Sequence, residues 1–316
     1  MTLKPEKEFI LNFQQLRIIS ETVRQNFNLT EVANALFTSQ SGVSKHIKDL
    51  EDELGVELFI RKGKRFTGLT APGKQLVTVV ERVLLDANNI KRMAEEFSQH
   101  DRGELTIVTT HTQAQYALPP VVAQFKKEFP KVHLVLHQSS PSEIVSMLLD
   151  DQADIGIATE ALGDVDNLIS FPYYSWHHSI IVPPGHPLLS RQSLTLEEIA
   201  QFPIITYHQG FTGRSRIDQI FSSAGLTPDI AMSALDADVI KTYVKLGLGI
   251  GIIASVAFNP EQDSSLVMLS GQHLFEKNTT YVAIRRNHFL RSYAYRFMAL
   301  CVPTLSESAI RSATQV

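Results

Sequence analysis

Four stretches of this chain gather residue types that can hold an anion without a cation: Thr109-Thr110-His111-Thr112-Gln113, Ser139-Ser140, Thr159-Glu160 and His208-Gln209-Gly210-Phe211-Thr212-Gly213. Their hydroxyls and amides form hydrogen bonds but carry no charge. Thr112-Gln113 and Thr212-Gly213 also open expected helices, where free backbone N–H groups and the positive dipole end favour an anion. The chemistry supported is the binding of a tetrahedral oxyanion or a small carboxylate, mainly by neutral donors. Capping and strand-end solvation are the plainer roles for the same threonines. Catalysis finds less support. The chain has no Gly-x-Ser-x-Gly elbow and no Gly-x4-Gly-Lys-Ser/Thr phosphate loop. Gly247, Gly249 and Gly251 follow an expected helix and precede a strand, the reverse of the dinucleotide order, and read as a helix stop and close packing. Asp236 and Asp238 read as caps of the next helix. Eleven scattered histidines, with no helix carrying a His-x3-His pair, and a single cysteine, Cys301, offer no metal site and no internal disulfide. Neither an enzyme nor a bound cofactor is expected.

A second kind of chemistry lies nearer the N-terminus. Leu29–Leu50 has the apolar spacing of two short helices, Val32, Ala33 and Leu36 on one and Val43, Ile47 and Leu50 on the other. They join at Phe37-Thr38-Ser39, and Thr30 and Ser39 can cap them. This is a helix-turn-helix pattern, although an ordinary helical hairpin shares it. In the DNA reading the second helix enters the major groove, carrying Ser39, Gln40, Ser41, Ser44 and Lys45 at its base-facing start, with His46 and Lys48 toward the backbone. A helix over Phe13–Val23 would complete a three-helix core. Leu58–Ile60 and Phe66–Leu69 then read as a hairpin about Gly63, carrying Arg61, Lys62, Lys64 and Arg65, with Lys74 beyond and no acidic residue between Leu58 and Lys74. Such a hairpin fits a wing that grips phosphates and adds affinity without reading sequence. The acidic run Glu51-Asp52-Glu53 reads as a solvated helix end.

The elements that must position these groups follow from length and period. The 316 residues suit two or three domains, and 44% hydrophobic and 20% charged residues are ordinary for a globular chain. A net charge of -4 means that any DNA surface must be local. No apolar run resembles a signal peptide or a membrane span, so a cytoplasmic location is expected. From Pro72 to Ser98 apolar residues recur at Leu76, Val80, Val83, Ala87, Ile90, Ala94 and Phe97, a heptad seam. A helix of roughly 40 Å at 1.5 Å per residue is too long for so small a head to bury, which points to dimerisation. Paired heads could then engage half-sites about 34–36 Å apart.

Beyond His100-Asp101-Arg102-Gly103 strands alternate with helices. Strands are expected at Glu104–Thr110, Val132–Gln138 and Asp154–Thr159, with helices at Gln113–Phe129 and Ser142–Asp151. After Pro172 the theme restarts, with strands near Ser179–Val182, Ile204–Tyr207, Asp229–Ala234 and Ile250–Ile253 and helices at Arg214–Ala224 and Ala237–Leu246. A return strand, Thr279–Arg285, and a last helix, Leu290–Cys301, precede a polar tail expected to fray. Two α/β lobes imply a cleft between them, where a small ligand could bind at the strand ends.

This order of parts resembles the LysR-type transcriptional regulators. Within that family TTHTQAQYALP (109–119), IATEAL (157–162), GFTGRS (210–215), DADVIKTYVKLGLGIGIIAS (236–255) and FLRSY (289–293) resemble the CysB branch, over roughly residues 11–302. The resemblance implies a winged helix-turn-helix head at 11–70 and a linker and dimerisation helix at 71–99. Residues 104–302 would form a two-lobed α/β effector domain of periplasmic-binding-protein-like architecture, lobe I about 104–172 and 275–302, lobe II about 173–274. It implies control of sulfur assimilation genes on double-stranded promoter DNA, with RNA polymerase as a further partner. It also implies acetylserine, sulfate or thiosulfate as effector, and assembly as a dimer or tetramer. Carried onto matching positions, it points to Thr110, Thr112, Gln113, Thr159 and Thr212 as anion contacts, with Tyr174 and Trp176 near the cleft. Ser41 stands where relatives usually carry proline, and the first ten residues are an added extension. Sister regulators of sulfonate use share much of the cleft. A solute-binding protein for transport would share the two lobes, but it predicts a signal peptide and no DNA head.

Overall fold

The computed structural model describes residues 11–63, 65–98, 101–159, 161–163 and 165–314. The N-terminal extension, Lys64, His100 and Glu160 lie outside the described residues. The chain divides into two compact units, Met1–Ala94 and Glu95–Val316.

In the first unit α1 (Phe13–Arg24) begins with a reciprocal capping box between Asn12 and Gln15. Its buried stripe is Leu16, Ile18 and Ile19, whereas Phe13 is 54% exposed. Helix α2 (Leu29–Ala35) is capped by Asn28, which accepts the Thr30 N–H at 3.1 Å, so Thr30 is the capped residue and not the cap. Helix α3 (Gln40–Leu54) starts at Ser39, whose hydroxyl accepts from Gly42 N at 3.1 Å, and stops at left-handed Gly55. The antiparallel pair β1 (Phe59–Lys62) and β2 (Arg65–Leu69) follows. Val32, Val43, Ile47, Leu50, Leu58 and Phe59 form one core with the α1 stripe. The long helix α4 (Ala71–Ser98) adds Val77 and Val80 to it, with Leu76 packed alongside. The expected seam is therefore divided: its first two positions serve the head, while Val83, Ile90 and Phe97 are 36%, 69% and 81% exposed.

The larger unit holds two five-stranded sheets. β3 (Gly103–Thr109) leads through a helical turn at His111–Thr112, a π-helical segment (Gln113–Ala117) and α5 (Pro119–Glu128) to β4 (Val132–Gln138). The single expected helix over 113–129 is thus broken, with Pro119 restarting it as its first residue. Next come α6 (Pro141–Leu149), β5 (Ile155–Ala158) and β6 (Leu168–Trp176). The chain then passes to β7 (His178–Val182), α7 (Leu196–Ile199), β8 (Ile204–Tyr207), α8 (Arg214–Ser223), β9 (Ile230–Ala234), α9 (Ala237–Lys245), β10 (Ile250–Ala254) and β11 (Val267–Ser270). It returns as β12 (Asn278–Arg285), α10 (Ser292–Cys301) and α11 (Glu307–Thr314).

The first sheet runs β4-β3-β5-β12-β6 and the second β11-β7-β10-β8-β9. In the first, β3 pairs in parallel with β4 and β5 while β12 pairs antiparallel with β5 and β6; in the second, β8 pairs in parallel with β9 and β10 while β7 pairs antiparallel with β10 and β11. Each sheet is buried on both faces, by separate apolar clusters. The crossover out of the first lobe lies at His177, after β6, and not at Pro172 as the sequence suggests. The tail is not simply frayed: α11 buries Ile310, and Arg311 lies 4.1 Å over the Tyr295 ring. No described helix is long and apolar enough to cross a membrane.

Candidate functional site

In the head, Ser39, Gln40, Ser41, Lys45 and Lys48 are exposed on the start and outer face of α3, and Ser44 and His46 are half-buried. Lys62 and Arg65 are exposed on the hairpin. Arg61 is held differently. Its guanidinium pairs with Glu51 and lies 4.8 Å over the Phe66 ring. Glu51 is 6% exposed, and Oε1 accepts Leu58 N at 2.8 Å and Phe59 N at 3.2 Å. The acidic run is therefore not uniformly solvated: its first residue ties the end of α3 to the hairpin. Arg61 is also exposed, at 38%, but its guanidinium is engaged by Glu51 and Phe66.

In the larger unit the strand-end stretches meet around a cavity of about 440 Å³, with Thr110 and Thr112 on one side and Thr212 with Phe211 on the other. Ser139, Ser140, Gln138 and Glu143 contribute from the end of β4 and the start of α6, and Leu235 and Asp236 from the end of β9. Among the described residues no lysine or arginine lines it. The three threonines are 6%, 1% and 5% exposed. Among the described residues no side-chain partner is recorded for the hydroxyl of Thr110 or Thr212, whereas Thr112 meets the phenol of the buried Tyr207. Thr109 is spent on the sheet: its hydroxyl donates to Ile157 O at 2.8 Å, as Thr206 does to Ile252 O at 2.9 Å in the other lobe.

The Thr212 loop is a forced conformation. Gly210, Thr212 and Gly213 have φ of 83°, 44° and 71°, and a threonine there is sterically unfavourable. Gly213 has a second reason to be glycine, since an added Cβ would lie 2.7 Å from His178 Cε1. The His178 ring is 1% exposed, burial pushes its pKa down to about 4, and it is therefore neutral at pH 7. We assign its proton to Nε2, 2.9 Å from the Thr212 carbonyl oxygen. Arg214 anchors the loop from below, donating to Tyr207 O at 2.6 Å and pairing with Asp218 at 2.7 Å.

The remaining expected contacts do not line this cavity. Gln113, Thr159, Tyr174 and Trp176 converge instead on Thr280, which the sequence reading did not single out. Its hydroxyl lies 3.0 Å from Thr159 Oγ1, 3.2 Å from Trp176 Nε1 and 3.4 Å from Gln113 Nε2, while Tyr174 OH donates to Gln113 Oε1 at 2.6 Å. This buried network fixes the segment that follows Thr112. Thr280→Val leaves the Trp176 and Gln113 donors without an acceptor, and we expect it to destabilise the unit by about 1–3 kcal/mol. Urea unfolding with the Trp176 fluorescence as probe checks this, and an unchanged midpoint would count against the network.

Contacts between the lobes border the cavity. Tyr116 OH donates to Asp238 Oδ1 at 2.5 Å, and Lys241, 5% exposed, lies 3.3 Å from Asp238, 3.0 Å from Asp263 and 4.9 Å over the Tyr116 ring. His111, Asp236 and Asp238 offer ligand atoms within 4.8 Å of one another. Residues so far apart in sequence give no spacing signal for such a group.

Two family profiles match the chain: one described as a bacterial regulatory helix-turn-helix protein, lysR family, over residues 13–74, the other as the LysR substrate binding domain, over 98–306. A similar protein, the HTH-type transcriptional regulator SsuR of Burkholderia cenocepacia, is 60% identical over 300 residues, covering 95% of this chain and 97% of that protein. The regulator CysB of the same bacterium is 52% identical over 303 residues, 96% and 97% of the two chains. The crystal structure of the cofactor-binding domain of the Cbl transcriptional regulator superposes with a TM-score of 0.65 at 48% identity, covering 68% of this chain and 95% of that one.

Proposed function

Because this chain belongs to the LysR family of helix-turn-helix transcriptional regulators, whose members are not enzymes, we propose that a small anion or amino-acid-derived effector bound between its lobes controls its grip on promoter DNA. One observation carries the reading. Thr110 and Thr212, from opposite lobes, bring buried hydroxyls with no recorded side-chain partner to the same cavity. A ligand oxyanion bonded to both would favour one arrangement of the lobes, and differential affinity is what shifts such an equilibrium. Thr112, with the amides at the start of its helix, completes the anion contacts, and Gln113, Thr159, Tyr174 and Trp176 hold that segment in place through Thr280.

The DNA contacts in this reading are Ser39, Gln40, Ser41, Ser44 and Lys45 for bases, with Lys48, Lys62, Lys64 and Arg65 on phosphates. Arg61 acts chiefly by fixing the hairpin. The exposed Val83, Ile90 and Phe97 on α4 supply a self-association face, for a dimer or a tetramer. The protein works in the cytoplasm beside RNA polymerase. Its targets are sulfur acquisition genes, and acetylserine, sulfate and thiosulfate are the first effectors to test. The sister reading, control of sulfonate use, is favoured by the 60% identity to SsuR against 52% to CysB of the same bacterium.

Thr110→Val tests the cleft. It keeps the shape and removes the hydroxyl, and we expect effector affinity in calorimetry to fall by about 1–3 kcal/mol. Equal affinity in the variant would remove Thr110 from the site.

A further inference from the structure

We infer that the effector is a zwitterion, carrying a sulfonate or carboxylate at one end and a primary ammonium at the other, and that Asp236 receives the ammonium. The inference rests on the cleft reading above and names the ligand class of that same cavity. Among the described residues the cavity lining holds two carboxylates, the exposed Glu143 and the half-buried Asp236, with His111 beside them and no lysine or arginine. Glu143 is ionised, because the backbone N–H and hydroxyl of Ser140 hold its carboxyl below the usual range. An inorganic anion entering alone would meet two like charges with no lysine or arginine among the described lining to offset them. A ligand that brings its own cation avoids that cost.

The placement of charge identifies the receiving group. Asp238 is already engaged by Tyr116 at 2.5 Å and Lys241 at 3.3 Å. Asp236 accepts the Val239 N–H at 2.9 Å through Oδ1 and has no recorded cationic partner among the described residues. It is half-buried, stands beside His111 and Asp238, and shares the cavity with Thr110 and Thr212. Those threonines are 6% and 5% exposed, with hydroxyls that no described side chain satisfies, which makes them donors for the oxyanion. These groups together suit an amino acid or an aminoalkane sulfonate. They suit a bare sulfate less well.

The test compares ligands that share an anion and differ in charge at the far end. The full-length protein is titrated calorimetrically with 2-aminoethanesulfonate, with 2-hydroxyethanesulfonate and with sulfate, in the presence of EDTA. We expect the amino compound to bind at least tenfold tighter than the hydroxy compound in the native protein. Asp236→Asn should erase that preference; asparagine still caps α9, so the fold is kept. Thr110→Val should weaken both sulfonates alike. Equal binding of the amino and hydroxy compounds, or a preference that survives Asp236→Asn, overturns the ammonium subsite and leaves the anion cleft standing. A preference seen only without EDTA overturns it in favour of a metal ion on His111, Asp236 and Asp238. No binding of any of the three compounds overturns the cleft reading itself, and this inference with it.

Discussion

Lys241→Ala is expected to cost the larger unit about 3–5 kcal/mol of folding stability, because removing one partner of a buried ion pair leaves the other charge without compensation. Lys241 is 5% and Asp263 4% exposed, and their 3.0 Å contact is the shortest that Asp263 makes to a cation. After the substitution Asp263 would keep the Asn259 N–H at 3.0 Å and a distant Lys245 at 3.8 Å. Asp238 would lose its ammonium too and retain Tyr116, so the bridge between the lobes would weaken together with the fold. Urea unfolding measures the loss. A change below about 1 kcal/mol would mean that water or Lys245 replaces the missing charge, which would contradict this account of the bridge.

Gly73→Ala is expected to abolish DNA binding while leaving ligand binding by the larger unit intact. Gly73 sits in the first turn of α4, and an added Cβ would lie 2.0 Å from Leu58 O and 2.9 Å from its carbonyl carbon. Those are backbone atoms at the start of the hairpin, where Leu58 O also accepts Thr70 N at 3.0 Å, so no side-chain rotation relieves the clash. The helix must move away from the hairpin, opening the core at Leu58, Phe59 and Val77. Overpacking typically costs about 1–3 kcal/mol and more where backbone is struck. A head of this size has few kcal/mol in reserve. Anisotropy with promoter DNA, paired with calorimetry on the same sample, separates the two units. Native-like DNA affinity would show that the helix can shift at small cost.

The sequence announces the head more clearly than the cleft, and the reason is range. Apolar spacing at Val32, Val43, Ile47 and Leu50 is a local signal, and all four are buried within 1% exposure. Which neighbour receives a stripe is not local. The heptad on α4 reads as one seam, yet Leu76 and Val80 are claimed by the head. Glu51 lies in an acidic run that looks solvated, and only the approach of Leu58, Phe59 and Arg61 turns it inward. Strand β6 is hidden by Pro172, which argues against a strand. It is tolerated because β6 is an edge strand whose pairing with β12 shifts register at Thr280/Tyr281.

The cleft divides in the same way. Thr110, Thr112 and Thr212 sit at strand ends, so topology alone nominates them. Gln113 and Thr159 stand in the same strand-end stretches, Tyr174 and Trp176 follow from family resemblance alone, and the group that joins them, Thr280, is contributed by a strand that returns more than a hundred residues later. Asp236 reads as a helix cap and is one, accepting Val239 N. Its second role depends on the loops brought beside it by the other lobe, which no local pattern records.

The most direct test of the central claim is the anisotropy of labelled promoter DNA from sulfur-acquisition genes with the full-length protein, at one fixed salt concentration. The complex is titrated with acetylserine, 2-aminoethanesulfonate, sulfate and thiosulfate. The account predicts a sequence-specific complex whose affinity or stoichiometry changes with at least one of these compounds, and a response lost in Thr110→Val while DNA binding without effector persists. A specific complex indifferent to every compound, or a response that Thr110→Val leaves unchanged, would contradict it.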